Sequence, residues 1–221
     1  MAPLQIAQRL VKAENVLQGK LPKPAAWAAG LGFKASALVR DWMGEQQTLS
    51  AHPVERFDER HDRLWDEVSP DFECAVVRDA SYLNWKYVSQ PGQSFTRFEI
   101  RDRDRVVGVA VWMLREPDQI YRYRRAFLVD LVAPVGDAPA LQRVVKAACT
   151  AVESLEVDAL LCHHVSPALT RALRAEGFLL RRPERFLLID TEGLPAEALA
   201  TVLSEDAWFV THGDSDVDRP W

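Results

Sequence analysis

The stretch Ala126-Phe-Leu-Val-Asp-Leu-Val-Ala133, followed at once by Pro134-Val-Gly-Asp137, indicates the fold class of this chain. The first run is apolar except for Asp130, which is typical of a strand that is buried on both faces of a sheet. Residues 138–155 then place apolar side chains at helical spacing, and residues 159–165 form a second apolar run. Two buried strands joined by an amphipathic helix predict a parallel, adjacent pair with the helix crossing between them.

The segments before this unit predict a β-hairpin and two helices. Residues 94–100 and 106–114 flank the polar turn Arg101-Asp-Arg-Asp-Arg105, as in two paired antiparallel strands. Residues 58–68 and 80–88 follow the spacing of amphipathic helices, the second one capped by Asp79. A short strand is expected over residues 53–57.

The segments after it add further strands and helices. Ser166 and Pro167 form a cap and a first-turn proline, and Gly177 ends the helix that they begin. Two late strands are expected over 186–189 and 208–211, with a short helix near 195–203 between them. Because hairpins and crossovers both occur, we expect an α/β fold with a mixed central sheet and helices on both faces.

The first residues of the chain differ from the rest in charge. Residues 1–40 contain six Lys or Arg and one acidic residue, so they carry +5, whereas the remaining 21 basic and 31 acidic residues carry −10. Ile6, Leu10, Ala13 and Leu17 predict a helix, which Leu21-Pro-Lys-Pro24 ends. We therefore expect residues 1–51 to be an N-terminal helical extension or connector and residues 52–221 to be the α/β domain. The apolar residues between Trp27 and Trp42 indicate that this connector packs on something.

Composition limits the classes of function. No apolar run reaches the length of about 18 residues that a membrane-spanning helix requires, and the start lacks a secretory signal. We therefore expect a cytoplasmic location. Cys74, Cys149 and Cys162 form neither a disulfide framework nor a metal knuckle, and no metal site is expected. An acidic body also argues against nucleic-acid binding, which needs clustered positive charge.

The order of elements, ending in Arg174-Ala-Glu-Gly-Phe178, resembles the GNAT superfamily of acyl-CoA-dependent N-acyltransferases. The stretches Arg78-Asp-Ala-Ser-Tyr-Leu-Asn-Trp-Lys-Tyr87 and Trp208-Phe-Val-Thr-His-Gly-Asp-Ser-Asp216 resemble a bacterial subgroup, often a tandem pair of such folds, that is associated with surface-polysaccharide gene sets. The resemblance implies a GNAT-like fold, acetyl-CoA or another acyl-CoA as co-substrate, and transfer to an N or O atom of a small or saccharide-type acceptor. It also implies a preceding GNAT-like half-domain, or a homodimer, as partner.

In that superfamily the strand before the phosphate loop separates from its neighbour to admit the pantetheine arm, and the pyrophosphate lies on amide N–H groups at a helix N-terminus. The family pattern for the loop is Gln/Arg-x-x-Gly-x-Gly/Ala. Here Ala133-Pro-Val-Gly-Asp-Ala138 keeps the glycine and the final alanine but has Ala133 in the first position. The residues that the resemblance implies for cofactor binding are Leu131, Val132, Ala133, Val135, Gly136, Asp137, Ala138 and Ala140.

Asp137 permits a second interpretation of this loop. An aspartate directly before Ala138 and Pro139 is a good N-cap, and its carboxylate would take the N–H groups that a pyrophosphate needs. The loop is then a structural helix cap, and the chain is a catalytically silent GNAT-like fold that serves as an interaction or structural half-domain. Both interpretations of the loop stay open at this point. From the sequence we expect acyl-CoA-dependent N- or O-acylation, with the silent fold as the alternative.

Two residues are candidates for catalysis. Asp130 lies on the strand where the family often places a carboxylate base, although a structural ion pair with an arginine is the alternative. His163 and His164 end the next strand and point to opposite faces, so one of them can face the cleft, and we name His163 as the second candidate base. The tyrosine that many members use as an acid is replaced by Leu173.

Two aromatic clusters could contact an acceptor. Tyr121-Arg-Tyr-Arg-Arg125 could bind an anionic acceptor such as a sugar acid, or it could be a solvated strand end. Tyr82, Trp85 and Tyr87 could line an acceptor cleft, or they could pack in the core.

Overall fold

The computed structural model describes residues 2–17, 49–92, 94–183 and 186–214. The elements before the central hairpin are short. They are strands β1 (Ala2–Pro3) and β2 (Gln5–Leu10), helix α1 (Ala13–Leu17), strand β3 (Ser50–Pro53), helix α2 (Glu59–Val68), strand β4 (Cys74–Ala75) and helix α3 (Ala80–Tyr87).

The longer elements follow. They are strands β5 (Thr96–Asp102), β6 (Arg105–Arg115) and β7 (Arg125–Val132), helix α4 (Ala138–Glu153), strand β8 (Ala159–Val165), helix α5 (Pro167–Ala175), strands β9 (Leu179–Arg181) and β10 (Phe186–Leu187), helix α6 (Ala196–Leu203) and strand β11 (Trp208–Thr211).

One mixed sheet carries most of these strands. Strands β3, β5, β6, β7 and β8 lie side by side, antiparallel except for the parallel pair β7 and β8. On the other edge of β8 lies β2, and β9 lies beyond it. The predicted mixed sheet and the predicted parallel pair are therefore confirmed.

The two faces of the sheet carry different helices. On one face α4 and α5 pack over the strands, with Leu141, Val144 and Leu169 in the same buried cluster as Trp112 and Leu160. On the other face α2 and α3 bury Leu64, Leu83 and Tyr87 against Val109 and Val129. Helices on both faces agree with the expected architecture.

Polar caps begin four helices, at the predicted positions Asp79, Asp137 and Ser166 and also at Asp58, which was expected to lie inside its helix. The side chains of Asp58, Asp79, Asp137 and Ser166 each accept a backbone N–H group at the start of a helix. Gly177 follows α5 with φ +83°, a conformation that side chains disfavour, and so ends the helix as predicted.

The prediction of one helix over residues 6–17 is wrong. Gln5–Leu10 is a strand that pairs with β8 on one side and β9 on the other, and only Ala13–Leu17 is helical. Strand β8 pairs with β2 along its whole length, and β9 pairs with residues 6–8, so that Ala7 is fully buried between two strands. Because β2 lies inside the sheet, the first residues contribute to the domain, and a boundary at 51/52 stays a prediction.

Other expectations for the ends of the chain have mixed outcomes. Arg9 forms an ion pair with Glu153 on α4, so one residue of the basic tail does contact the acidic body. The strand expected at 53–57 lies at Ser50–Pro53, and Phe186–Leu187 pairs with β1. The apolar segment between positions 27 and 42 lies outside the described residues. In the part of the chain that is described, no helix is long and apolar enough to cross a membrane.

Candidate functional site

Strands β7 and β8 separate halfway along their length. Their parallel pairing ends at Leu128 and Cys162, although β7 continues to Val132 and β8 to Val165. A β-bulge lies at the same place, because Trp112 of β6 pairs with Leu128 while Val111 pairs with Asp130, which leaves Val129 as the extra residue. Bulges bend a strand away from its neighbour, so the sheet has a gap where an acyl-CoA cleft is expected.

The gap is filled by the chain itself. Strand β11 pairs antiparallel with the free part of β8, at Val210 with Val165 and at Thr211 with His164. Residues 211–214, here called the closing segment, then lie against β7. A Cβ atom added at Gly213 would lie 3.0 Å from the carbonyl oxygen of Val129, and closer still to the Tyr87 hydroxyl. The closing segment therefore occupies the space between the two strands.

Asp130, the first candidate base, is enclosed by hydrogen-bond donors. The Nε atom of Arg78 donates to its Oδ1 atom at 2.8 Å, and the hydroxyl of Tyr87 donates to Oδ2 at 2.7 Å. The backbone N–H of Leu131 and the hydroxyl of Thr211 also donate to Oδ1, at 2.9 and 3.2 Å. With the side chain 1% exposed, this geometry favours the structural ion pair over contact with a substrate.

Arg78 connects this carboxylate to the closing segment. Its Nη2 atom donates to Oδ2 of Asp214 at 2.5 Å, and its Nη1 atom donates to the carbonyl oxygen of Val76 at 2.8 Å. The two stretches that carried the subgroup resemblance therefore meet in the core. A fully buried guanidinium between two carboxylates has its charge compensated.

The pKa directions of Arg78 and Tyr87 agree with that assignment of charges, whereas that of Asp214 opposes it. Burial acts to lower the pKa of Arg78, but attraction by Asp130 and Asp214 outweighs it and raises the pKa well above its ordinary value. Burial, followed by the charge of Asp130, raises the pKa of Tyr87, so its phenol stays protonated and donates. Burial also raises the pKa of the Asp214 carboxyl, although Arg78 opposes that shift.

The loop before α4 is also occupied by carboxylates. The N–H of Gly136 donates to Oδ2 of Asp71 at 3.0 Å, and the N–H of Ala140 donates to Oδ1 of Asp137 at 3.0 Å. A Cβ atom added at Gly136 would lie 2.7 Å from Oδ1 of Asp71. Two of the N–H groups that a pyrophosphate would need already have anionic partners.

The remaining residues of the implied cofactor set lie on both sides of this loop. Leu131, Val132 and Ala133 are buried in the core, and Val135 is partly buried against it. Ala138 is the first residue of α4. Cofactor binding by these residues stays a prediction.

The two neighbouring histidines of β8 face opposite sides of the sheet, as expected. His164 is fully buried, and burial lowers its pKa to about 4, so the ring is neutral at neutral pH. The His163 ring stacks on His212 of the closing segment at 4.8 Å between centroids and meets the edge of Phe127. Of the two, His163 lines a cavity.

That cavity has a volume of about 430 Å³ and opens on the face of the sheet that α4 and α5 do not cover. Strands β2, β7, β8 and β9 and the segment before β7 form its walls. Its lining includes the side chains of Tyr121, Tyr123, Arg125, His163, Arg181 and Arg182. Part of the predicted cluster at 121–125 is therefore the wall of a cavity and not only a solvated strand end.

The other aromatic cluster does not form a common wall. Tyr82 and Trp85 lie 5.9 Å apart, but Trp85 is 59% exposed, whereas Tyr87 is buried on Asp130. An acceptor cleft lined by all three side chains is not present in this arrangement.

Comparison with known proteins gives matches at the level of structure alone. No protein-family model and no curated protein matches the sequence. Among solved structures, the chain is similar to a GCN5-related N-acetyltransferase from Anabaena variabilis ATCC 29413, with a TM-score of 0.49 and 12% identity over 82% of this chain and 38% of that one. It is also similar to the TTHA1254 protein of Thermus thermophilus, with a TM-score of 0.40 and 17% identity over 65% of this chain and 99% of that one. The chain thus spans well under half of the Anabaena protein, and likeness at this level says nothing about activity.

Two residues at the gap and one at the loop before α4 were not recognised from the sequence. Arg78 and Asp214 lie in the two stretches that carried the subgroup resemblance, but the sequence did not predict that they contact each other. Asp71 precedes a two-residue strand and carries no local signal of its contact with Gly136.

Proposed function

We propose that this chain is a catalytically silent GNAT-like fold that serves as an interaction or structural half-domain. The observation that supports the proposal is the filled gap between β7 and β8, where the closing segment takes the place that a pantetheine arm would need. The closing segment is held by the ion pair between Arg78 and Asp214 and by the hydrogen bond that the Thr211 hydroxyl donates to Asp130.

Opening the gap would be costly. Removing the closing segment separates Asp214 from the fully buried guanidinium of Arg78, and breaking a buried pair typically costs about 3–5 kcal/mol. A pyrophosphate at the start of α4 would also have to replace Asp71 and Asp137 on their N–H groups and would be repelled by both carboxylates. These two obstacles add to each other because they act on different parts of one extended ligand.

An acyl-CoA-dependent N- or O-acyltransferase is the second candidate. The observation that favours it is the separation of β7 from β8 at the bulge, with His163 beside the gap on the wall of a cavity. In this mechanism the closing segment leaves, acyl-CoA enters between the strands, and a small or saccharide-type acceptor occupies the cavity. His163 then takes a proton from the acceptor N or O atom as this atom bonds to the acyl carbon, the C–S bond breaks and CoA leaves as the thiolate. A histidine is suited to the role of base near neutral pH.

Calorimetric titration of the whole chain with acetyl-CoA distinguishes the two candidates. The silent fold predicts no binding at concentrations up to about 10 mM, corresponding to a free energy weaker than about −3 kcal/mol. Asp71→Asn combined with Asp137→Asn should also fail to bind, because the closing segment still fills the gap. Asp104→Asn, an exposed site in the turn between β5 and β6, is the matched control.

The opposite outcome has a specific signature. If the chain is an acyltransferase, the wild type should bind acetyl-CoA and Asp137→Asn should bind it more tightly. Gly136→Val should not bind acetyl-CoA, because the added side chain blocks approach to the loop. That pattern would overturn the silent fold. Binding that is indifferent to both substitutions would place acetyl-CoA elsewhere and would contradict both candidates.

The partner in the proposed role is a preceding GNAT-like half-domain or a second copy of this chain, in the cytoplasm. Sedimentation velocity over a range of protein concentrations tests whether two copies of the chain form a homodimer. A sedimentation coefficient that does not rise with concentration would eliminate the homodimer and leave the preceding half-domain.

A further inference from the structure

The cavity beside His163 concentrates positive charge in an otherwise acidic body. Residues 41–221 carry −10 in total, yet the described lining of the cavity holds Arg125, Arg181 and Arg182 and neither aspartate nor glutamate. No ion pair of Arg181 or Arg182 occurs among the residues that the structure describes. The cavity therefore has the charge to attract an anion.

Arg125 is fixed in position at the wall of this cavity. Its Nη2 atom pairs with Asp118 at 2.5 Å, and its guanidinium lies 4.1 Å from the centroid of the Tyr121 ring. Asp118 is itself held by the backbone N–H groups of Ile120 and Tyr121, at 2.8 and 2.6 Å. A guanidinium held in this way loses little conformational freedom when a ligand binds.

One donor of Arg125 has no acceptor among the residues that the structure describes. The side chain is 10% exposed, and its Nε atom is buried without a hydrogen-bond partner in the described parts of the chain. Buried donors without a partner are rare in folded proteins, so this guanidinium has hydrogen-bonding capacity that the described residues do not use. Arg125 lines the cavity together with Arg181 and Arg182, which lie on β9 and directly after it, so the three guanidinium groups can face one anion.

The rest of the lining suits a ring that carries hydroxyl groups. Phe127 and Tyr121 offer apolar ring surface, and Gln8 and Tyr123 offer polar groups that are already hydrogen-bonded to each other. Burial raises the pKa of Tyr123, so its hydroxyl remains a donor near neutral pH. A volume of about 430 Å³ is in the range of small-molecule sites.

We propose that this cavity binds a small sugar-type ligand bearing one carboxylate or phosphate group, with the anion on Arg125, Arg181 and Arg182. Carboxylate and phosphate share the planar pairing with guanidinium groups. None of residues 131–140 lines the cavity, so binding of this ligand does not require acyl-CoA and is expected whether the gap is silent or catalytic. If the gap is catalytic, the ligand is the acceptor.

Titrations of the whole chain with glucuronate, glucose 6-phosphate and glucose test the site. Glucuronate or glucose 6-phosphate should bind with a Kd of about 10 mM or lower, while glucose should not. Tighter binding of glucuronate would identify a carboxylate as the anionic group of the ligand, and tighter binding of glucose 6-phosphate would identify a phosphate. Adding salt should weaken binding because it screens the arginines.

Two variants locate the binding. Arg181→Gln combined with Arg182→Gln removes two exposed charges and should weaken anion binding by about tenfold or more, since each lost charge-assisted contact reduces affinity. Arg171→Gln removes an exposed charge from α5, on the opposite face of the sheet, and should leave binding unchanged. The proposal is overturned if neither anion binds the wild type, if glucose binds equally well, or if the double variant binds like Arg171→Gln.

Discussion

Arg78 and Asp214 form a buried ion pair, with 2.5 Å between Nη2 and Oδ2, that joins a residue two positions before α3 to the last described residue of the chain. The same guanidinium holds Asp130 on the central strand at 2.8 Å. Three segments that are far apart in sequence therefore share one charge network. This network keeps the closing segment between β7 and β8.

The network should contribute strongly to stability. Replacing the arginine in Arg78→Met leaves Asp130 and Asp214 buried without their cation, so we expect a loss of about 3–5 kcal/mol in the free energy of unfolding. Urea denaturation measures the loss. Arg105→Met removes a 67% exposed side chain that pairs with Glu67, and it should change stability by less than about 1 kcal/mol. Equal losses in the two variants would show that the buried network adds nothing.

A side chain at Gly213 should displace the closing segment. Gly213→Val places atoms against the carbonyl oxygen of Val129 and the hydroxyl of Tyr87, and overpacking of this kind costs about 1–3 kcal/mol. Hydrogen exchange should then accelerate at the N–H of Thr211, which donates to Asp214 in the wild type. Unchanged protection of that amide would mean that the segment does not depend on close packing in the gap.

Stability should fall as the pH is lowered through the range set by His164. Burial lowers its folded-state pKa to about 4, against 6.5 for an unperturbed histidine, so the unfolded chain takes up the proton first. The stabilisation is complete above pH 6.5 and is lost as the pH falls towards 4, by about 3 kcal/mol in all.

Substitution of His164 tests whether this residue causes the pH dependence of stability. His164→Gln should flatten the stability profile between pH 6.5 and 4, measured by urea denaturation at each pH, whereas His52→Gln, at an exposed position, should not. A hydrogen bond from Arg60 lowers the pKa of Asp58 to about 2, so that carboxylate acts only below about pH 4. A slope that survives in His164→Gln would assign the effect to another group.

Asp137 should stabilise α4 as a cap rather than through its charge. Asp137→Ala removes the acceptor of the Ala140 N–H and should destabilise the chain by about 1 kcal/mol, while Asp137→Asn keeps an acceptor and should lose much less. Thermal unfolding of both variants gives the comparison. If Asn is as destabilising as Ala, the charge at the helix N-terminus is the larger effect.

Strand β2 should be essential for folding of the domain. Ala7→Asp places a carboxylate at a fully buried position between β8 and β9, and an uncompensated buried charge should abolish the cooperative thermal transition or lower its midpoint sharply. Ala200→Asp makes the same change at an exposed position of α6 and should have little effect. A normal transition for Ala7→Asp would support the expected boundary at 51/52.

The sequence by itself determined the local elements and the central unit. Apolar runs and helical spacing predicted β7, α4 and β8, and short-range hydrogen bonds fixed the caps at Asp79, Asp137 and Ser166. These features depend on neighbours within a few residues, so they can be deduced from the sequence around them. The opposite faces of His163 and His164 follow from strand geometry alone.

Tertiary structure decided which edges and charges meet. The spacing from Ile6 to Leu17 fits a helix. In the fold, however, Gln5–Leu10 lies between β8 and β9, and backbone pairing with these strands outweighs the local helix propensity. The contact of Arg78 with Asp214 and the filling of the gap by Gly213 join residues more than 80 positions apart. No local pattern encodes such contacts, because a buried charge takes the partner that the packed fold brings within hydrogen-bond distance, and that partner is defined only once the sheet has formed.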